Sequence, residues 1–122
     1  MIDHLELSVV DLLRSETFFR RALGPLGYQL RVSNELRGFG VEMNSLDFWL
    51  RGDGASTPRP HFAFNCATRA LVNNAYEAAI AAGGTDNGQP KLMAHIHANY
   101  YAGFVRDPDG HNIEFVCHAP GK

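Results

Sequence analysis

Cysteine is scarce: Cys66 and Cys117 are the only two in 122 residues. That is too few for the disulfide framework that staples small secreted domains, so both are expected to be buried thiols in a reducing cytoplasm. Runs of Lys or Arg are missing, and 11 basic residues stand against 13 acidic ones for a net charge of -2. The electrostatic footprint of a nucleic-acid binder is therefore absent. No apolar stretch approaches the roughly 18 residues of a membrane span, so no membrane partner is expected. The chain opens directly on a strand-like segment, so no signal peptide is expected. This length suits one domain with a real core and is short for two independent ones. A soluble cytoplasmic domain over residues 1–122 is the expectation.

What the chain does contain is patterning that occurs twice. Ile2 to Val9 alternates, with Leu5, Leu7 and Val9 on one face and His4, Glu6 and Ser8 on the other. Asp11 is suited to cap a helix over about residues 12–23, which Gly24 and Pro25 end. Three short strands follow at about 28–32, 38–43 and 46–51. Residues 53–60, rich in Gly, Pro and Ser, read as a linker. Then His61 to Cys66 alternates again, Thr68 caps a helix over about 69–82, and Gly83-Gly84 ends it. Residues 85–98 suggest a loop with a short strand. The stretches 99–106 and 111–117 flank Asp107-Pro108-Asp109-Gly110, a turn sequence, and form a closing hairpin, with His111 expected to be exposed in the turn.

Two copies of strand–helix–strands, about 1–52 and 61–118, predict an α+β fold. Each helix covers the apolar face of its sheet, and the polar faces carry His4, Asp47, His61 and Glu114 into a common cleft. His4 and His61 open the first strand of each half. Asp47 and Glu114 occupy matching patterns in the last strands, Leu46-Asp47-Phe48 and Ile113-Glu114-Phe115. Two imidazoles with one or two carboxylates suit Fe(II), Mn(II), Zn(II) or Ni(II). Asp47 is read either as a fourth ligand or as a carboxylate paired with Arg51.

These residues resemble a known family. Asp3-His4-Leu5-Glu6-Leu7-Ser8-Val9, Asp11-Leu12, Phe18-Phe19 and Leu26-Gly27-Tyr28 are similar to the opening of vicinal oxygen chelate proteins, the glyoxalase, bleomycin-resistance and extradiol-dioxygenase superfamily. His61-Phe62-Ala63-Phe64 and Phe104 to Glu114 match its second-half motifs. The resemblance implies paired βαβββ modules around a U-shaped mixed-sheet cleft with helices on the outer faces. It also implies a divalent metal on His4, His61 and Glu114. Ser8 stands where glyoxalase I members usually carry an Arg for glutathione, which argues against that substrate.

Glu114, His97 and Tyr101 are the expected catalytic residues, and Trp49, His95 and Tyr100 the expected substrate contacts. Of the adjacent tyrosines, one packs and the other presents its hydroxyl to the cleft. The leading expectation is a metal-dependent lyase or isomerase of glyoxalase type acting on a small oxygen-rich molecule. A single-domain extradiol-type dioxygenase and a metal-free drug-sequestering protein are the alternatives. Short members of the family often build their clefts across a subunit interface, so a homodimer is expected.

Overall fold

The computed structural model describes residues 1–121, and its elements alternate as the pattern predicts. Module one comprises β1 (Leu5–Ser8), α1 (Leu12–Leu23), β2 (Gln29–Ser33), β3 (Leu36–Gly40) and β4 (Phe48–Arg51). Module two comprises β5 (His61–Asn65), α2 (Arg69–Ala81), β6 (Thr85–Leu92), β7 (Tyr101–Arg106) and β8 (Asn112–Cys117). The fold is α+β: two four-stranded mixed sheets, ordered β1-β4-β3-β2 and β5-β8-β7-β6, with one helix each.

Local chemistry explains the boundaries. The Asp11 carboxylate accepts from the Arg14 amide at 3.1 Å, and the Thr68 hydroxyl from the Leu71 amide at 3.2 Å, so each helix begins on a side-chain cap. Residues 85–92 form a full eight-residue strand where a loop with a short strand was expected. Its pairing with β7 shifts register around Gly88 and again before Lys91, and such irregularity hides period-two alternation from a sequence reading.

In both modules the last strand lies beside the first and runs parallel to it, Leu5 opposite Phe48 and Ala63 opposite Glu114. Leu7, Phe48 and Leu50 are buried on the helix side of sheet one; Phe64, Ile113, Phe115 and Cys117 are buried in sheet two. Phe48 lies at the junction, with ring centroids 4.8 Å from Phe19, 5.8 Å from Phe62 and 5.3 Å from Phe64. The two modules thus share one continuous apolar core. Both thiols are free and buried, and burial pushes Cys66 up to about 11. No helix among the described residues is long and apolar enough to cross a membrane.

Candidate metal and substrate site

The parallel pairing of β5 with β8 builds the centre of the site. His61 lies opposite Asn112, and Ala63 opposite Glu114, so the His61 and Glu114 side chains share the sheet face away from α2. His61 Nε2 sits 3.1 Å from Glu114 Oε1. Its Nδ1 lies 2.8 Å from the Asn112 carbonyl, which can only accept, so Nδ1 carries the proton of a neutral ring. The Nε2 lone pair then faces a carboxylate oxygen, and two lone pairs at this distance are held together only by a cation between them. That cation is either a proton or a metal ion. Metal bonds of about 2.0–2.2 Å at a right angle would set two donors about 3 Å apart, so the pair fits one edge of a coordination shell.

Glu114 is 4% exposed and has a second partner: the Tyr100 hydroxyl donates to Oε2. This bond, then burial, pushes the Tyr100 phenol up to about 12. Phe104, opposite Glu114 on β7, lays its ring against His61 at 6.2 Å. His97 Nε2 and His118 Nδ1 lie 2.9 Å apart beyond Tyr100. The continued alternation 114, 116, 118 is the sequence signal that could have placed His118 here.

Several expectations are corrected. Tyr101, expected to be catalytic, turns to the helix side: its hydroxyl donates to Asn73 at 2.7 Å and Arg69 lies over its ring. Tyr100 has the hydroxyl in the site. Asp47 is not the counterpart of Glu114. Relative to His61, Glu114 faces the strand position two residues on; relative to His4, that position is Glu6, and Trp49 faces it. Asp47 instead accepts from the Tyr28 hydroxyl at 3.1 Å, while Arg51 pairs with Glu6 at 2.9 Å. Trp49 lies over Gly38, where a Cβ would come within 2.8 Å of the indole.

His4 is exposed, 2.7 Å from the Asp3 carboxylate, and lines a hollow of about 460 Å³ with Met43, Asn44 and Trp49. Among the described residues it joins no set of three donors lying within 4.8 Å of one another. One chain therefore does not bring His4 together with His61 and Glu114. His95 lies exposed in the segment between β6 and β7.

The donors that do gather within 4.8 Å are Asp107, Asp109 and His111. Here too the structure departs from expectation, because His111 is fully buried. Asp107 accepts from the His111 ring at 2.7 Å and from the amides of His111 and Asp109. Asp109 accepts from Arg14 at 2.8 Å and from the Val10 amide. All four carboxylate oxygens are thus occupied by protein donors, and Gly110 supplies the positive φ of +87° that closes the turn. The cluster locks the β7–β8 turn and ties it to the start of α1.

Residues 1–115 match the Glyoxalase/Bleomycin resistance protein/Dioxygenase superfamily. The chain belongs to this superfamily. Solved structures share its fold. A glyoxalase/bleomycin resistance protein from Albidiferax ferrireducens T118 superposes with a TM-score of 0.80 at 22% identity, covering 96% of this chain and 98% of that one. A lactoylglutathione lyase from Agrobacterium tumefaciens gives 0.70 at 19%, covering 96% and 92%. A glyoxalase I mutant from Zea mays gives 0.72 at 23%, covering 94% of this chain and 46% of the maize protein. No curated protein matches the chain.

Proposed function

We propose that the protein is a divalent-metal-dependent enzyme acting on a small substrate with adjacent oxygens, as a homodimer in a reducing cytoplasm. The observation that carries the reading is the placement of His61 Nε2 3.1 Å from Glu114 Oε1. His4 of a second copy supplies the third donor. Exposed Ile2, Val41 and Met43 lie in or near its part of the chain and offer apolar surface to a partner. A bound Zn(II), Ni(II), Mn(II) or Fe(II) would act as a Lewis acid, polarising the substrate's oxygens and stabilising a developing enolate or oxyanion.

The chain's own residues do the rest. His61 and Glu114 hold the ion, and the Asn112 carbonyl fixes the His61 tautomer that exposes Nε2. Trp49 contributes an apolar wall at the place where a fourth protein ligand would stand. Three protein donors leave positions open for a chelating substrate. A lyase or isomerase of glyoxalase type is the leading reading, the lactoylglutathione lyase neighbour lending support. The donor set of two histidines and one carboxylate also suits Fe(II) oxygen chemistry, which favours a ring-cleaving dioxygenase as the second reading.

Mixed dimers test the proposal. Untagged His4→Ala and His61→Ala proteins should each take up almost no metal. Their co-expressed heterodimer should regain one intact site, carrying His4 from one copy and His61 from the other. Full metal uptake by both single variants would overturn the ligand assignment. A ligand-induced rise in melting temperature that EDTA leaves unchanged would point instead to a metal-free binding protein.

A further inference from the structure

Tyr100 meets Glu114 through the oxygen that His61 does not face. The phenol donates to Oε2, whereas His61 approaches Oε1, so the carboxylate is held from both ends. The tyrosine is itself held. It ends the segment between β6 and β7, closed by the Met93 amide donating to the Tyr100 carbonyl at 2.7 Å and the Tyr100 amide to the His97 carbonyl at 3.2 Å. Its ring stands edge-on to two neighbouring imidazoles, 5.4 Å from His97 at 79° and 5.3 Å from His118 at 83°.

The imidazoles are locked by a defined proton order. The Asn99 amide donates to His97 Nδ1 at 3.1 Å, so a neutral His97 carries its proton on Nε2 and donates it to His118 Nδ1. Interplanar tilt between these rings is 27°, which suits an in-plane N–H···N bond. The turn segment and the residue following β8 thus hold one side chain against a hydrogen-bonded imidazole pair, and its only polar atom points at Glu114.

We propose that Tyr100 is the positioning residue for Glu114, with His97 and His118 as the imidazole pair that sets the tyrosine. This rests on the metal reading above. The phenol restrains the carboxylate so that Oε1 is presented beside His61 Nε2 before the ion arrives. Hydrogen-bonding partners of metal-ligating carboxylates typically matter by about 10–100-fold in affinity, because without them the ligand must be ordered during binding.

Cobalt(II) titration of the dimer, read by visible absorption, tests the proposal. Tyr100→Phe keeps the ring and its packing and removes only the hydroxyl. It should weaken cobalt binding by about 10–100-fold and alter the absorption band, with melting temperature and circular dichroism close to wild type. His118→Ala, which frees the ring without touching the hydroxyl, should shift affinity in the same direction by less. Wild-type affinity and an unchanged band in Tyr100→Phe would overturn the positioning role while leaving the metal site standing. Wild-type protein that takes up no cobalt would overturn the metal reading itself, and this proposal with it.

Discussion

Replacing Asp107 should destabilise the fold more than any other change to the β7–β8 turn, and the structure grades the damage by substituent. Neither the Asp107 nor the His111 side chain is exposed. One carboxylate oxygen accepts from the His111 and Asp109 amides at 2.8 and 3.1 Å, and the other from His111 Nδ1 at 2.7 Å. Asp107→Ala removes both acceptor oxygens and their three hydrogen bonds, and leaves a buried imidazole N–H unpaired. Breaking a buried pair from one side costs about 3–5 kcal/mol. A chain of this length has about 6–18 kcal/mol of stability in total. A loss near 4 kcal/mol would lower the melting temperature by about 15 °C, at about 4 °C per kcal/mol.

Asp107→Asn should be milder. Its carbonyl oxygen still serves both amides. Its NH₂ must face His111 Nδ1, so the ring proton moves to Nε2, a buried atom with no partner. One unsatisfied buried N–H costs about 1–3 kcal/mol. Burial holds the Asp107 carboxyl above its usual range, against the opposing pull of the His111 bonds. The folded chain thus binds that proton more tightly than the unfolded chain. Its contribution is complete below about pH 3.9 and fades as pH rises through the folded value. Wild type's lead over Asp107→Asn should accordingly widen on acidification. Urea unfolding followed by circular dichroism, with unchanged m-values, measures both variants. An Ala variant within 1 kcal/mol of wild type, or an Asn variant as damaged as Ala, would refute the account.

Other outcomes follow from the same geometry. Phe48→Ala empties the shared core where the modules meet and should cost about 3–5 kcal/mol, with one unfolding transition by fluorescence and circular dichroism rather than two. Gly38→Ala places a Cβ against the indole of Trp49; because Trp49 is the only tryptophan, its emission should shift while the far-ultraviolet spectrum holds. Tyr76 is pushed up to about 12, first by burial and then by its bond to Asp86. Its contribution to stability should be complete below about pH 10 and lost as pH climbs through about 12. Absorbance at an alkaline phenolate wavelength should show this tyrosine ionising late, and Asp86→Asn should bring it earlier.

The fold was legible because each module repeats signals with local physical causes. Alternation in β1 and β5 follows from one buried face, and the caps Asp11 and Thr68 precede helical stripes at the expected spacing. Three features were not legible, each for its own reason. Register shifts in β6 scramble the alternation of residues 85–92. The burial of His111 depends on a partner four residues back, Asp107, whose turn sequence reads equally well as solvent-exposed. The choice between Tyr100 and Tyr101 turns on where β7 begins, and a one-residue slip sends every following side chain to the opposite face. In the fold it is Tyr101 that reaches Asn73 on the helix side and Tyr100 that donates to Glu114.

Register also decides how the two halves divide the chemistry. Matching Leu46-Asp47-Phe48 to Ile113-Glu114-Phe115 by composition makes Asp47 the twin of Glu114, and a symmetric four-ligand site follows. The strand pairing breaks that symmetry: Asp47 falls level with Asn112, and Trp49 with Glu114. Module two then holds an imidazole and a carboxylate in contact, while module one offers an imidazole beside an indole. Among the described residues neither half gathers three such donors with the other, and within one chain His4 joins no donor set with His61 and Glu114. The proposed homodimer, with module one of one copy set against module two of another, would bring both halves to one ion. The heterodimer of His4→Ala with His61→Ala probes that arrangement directly, because in it the only intact donor set spans two chains.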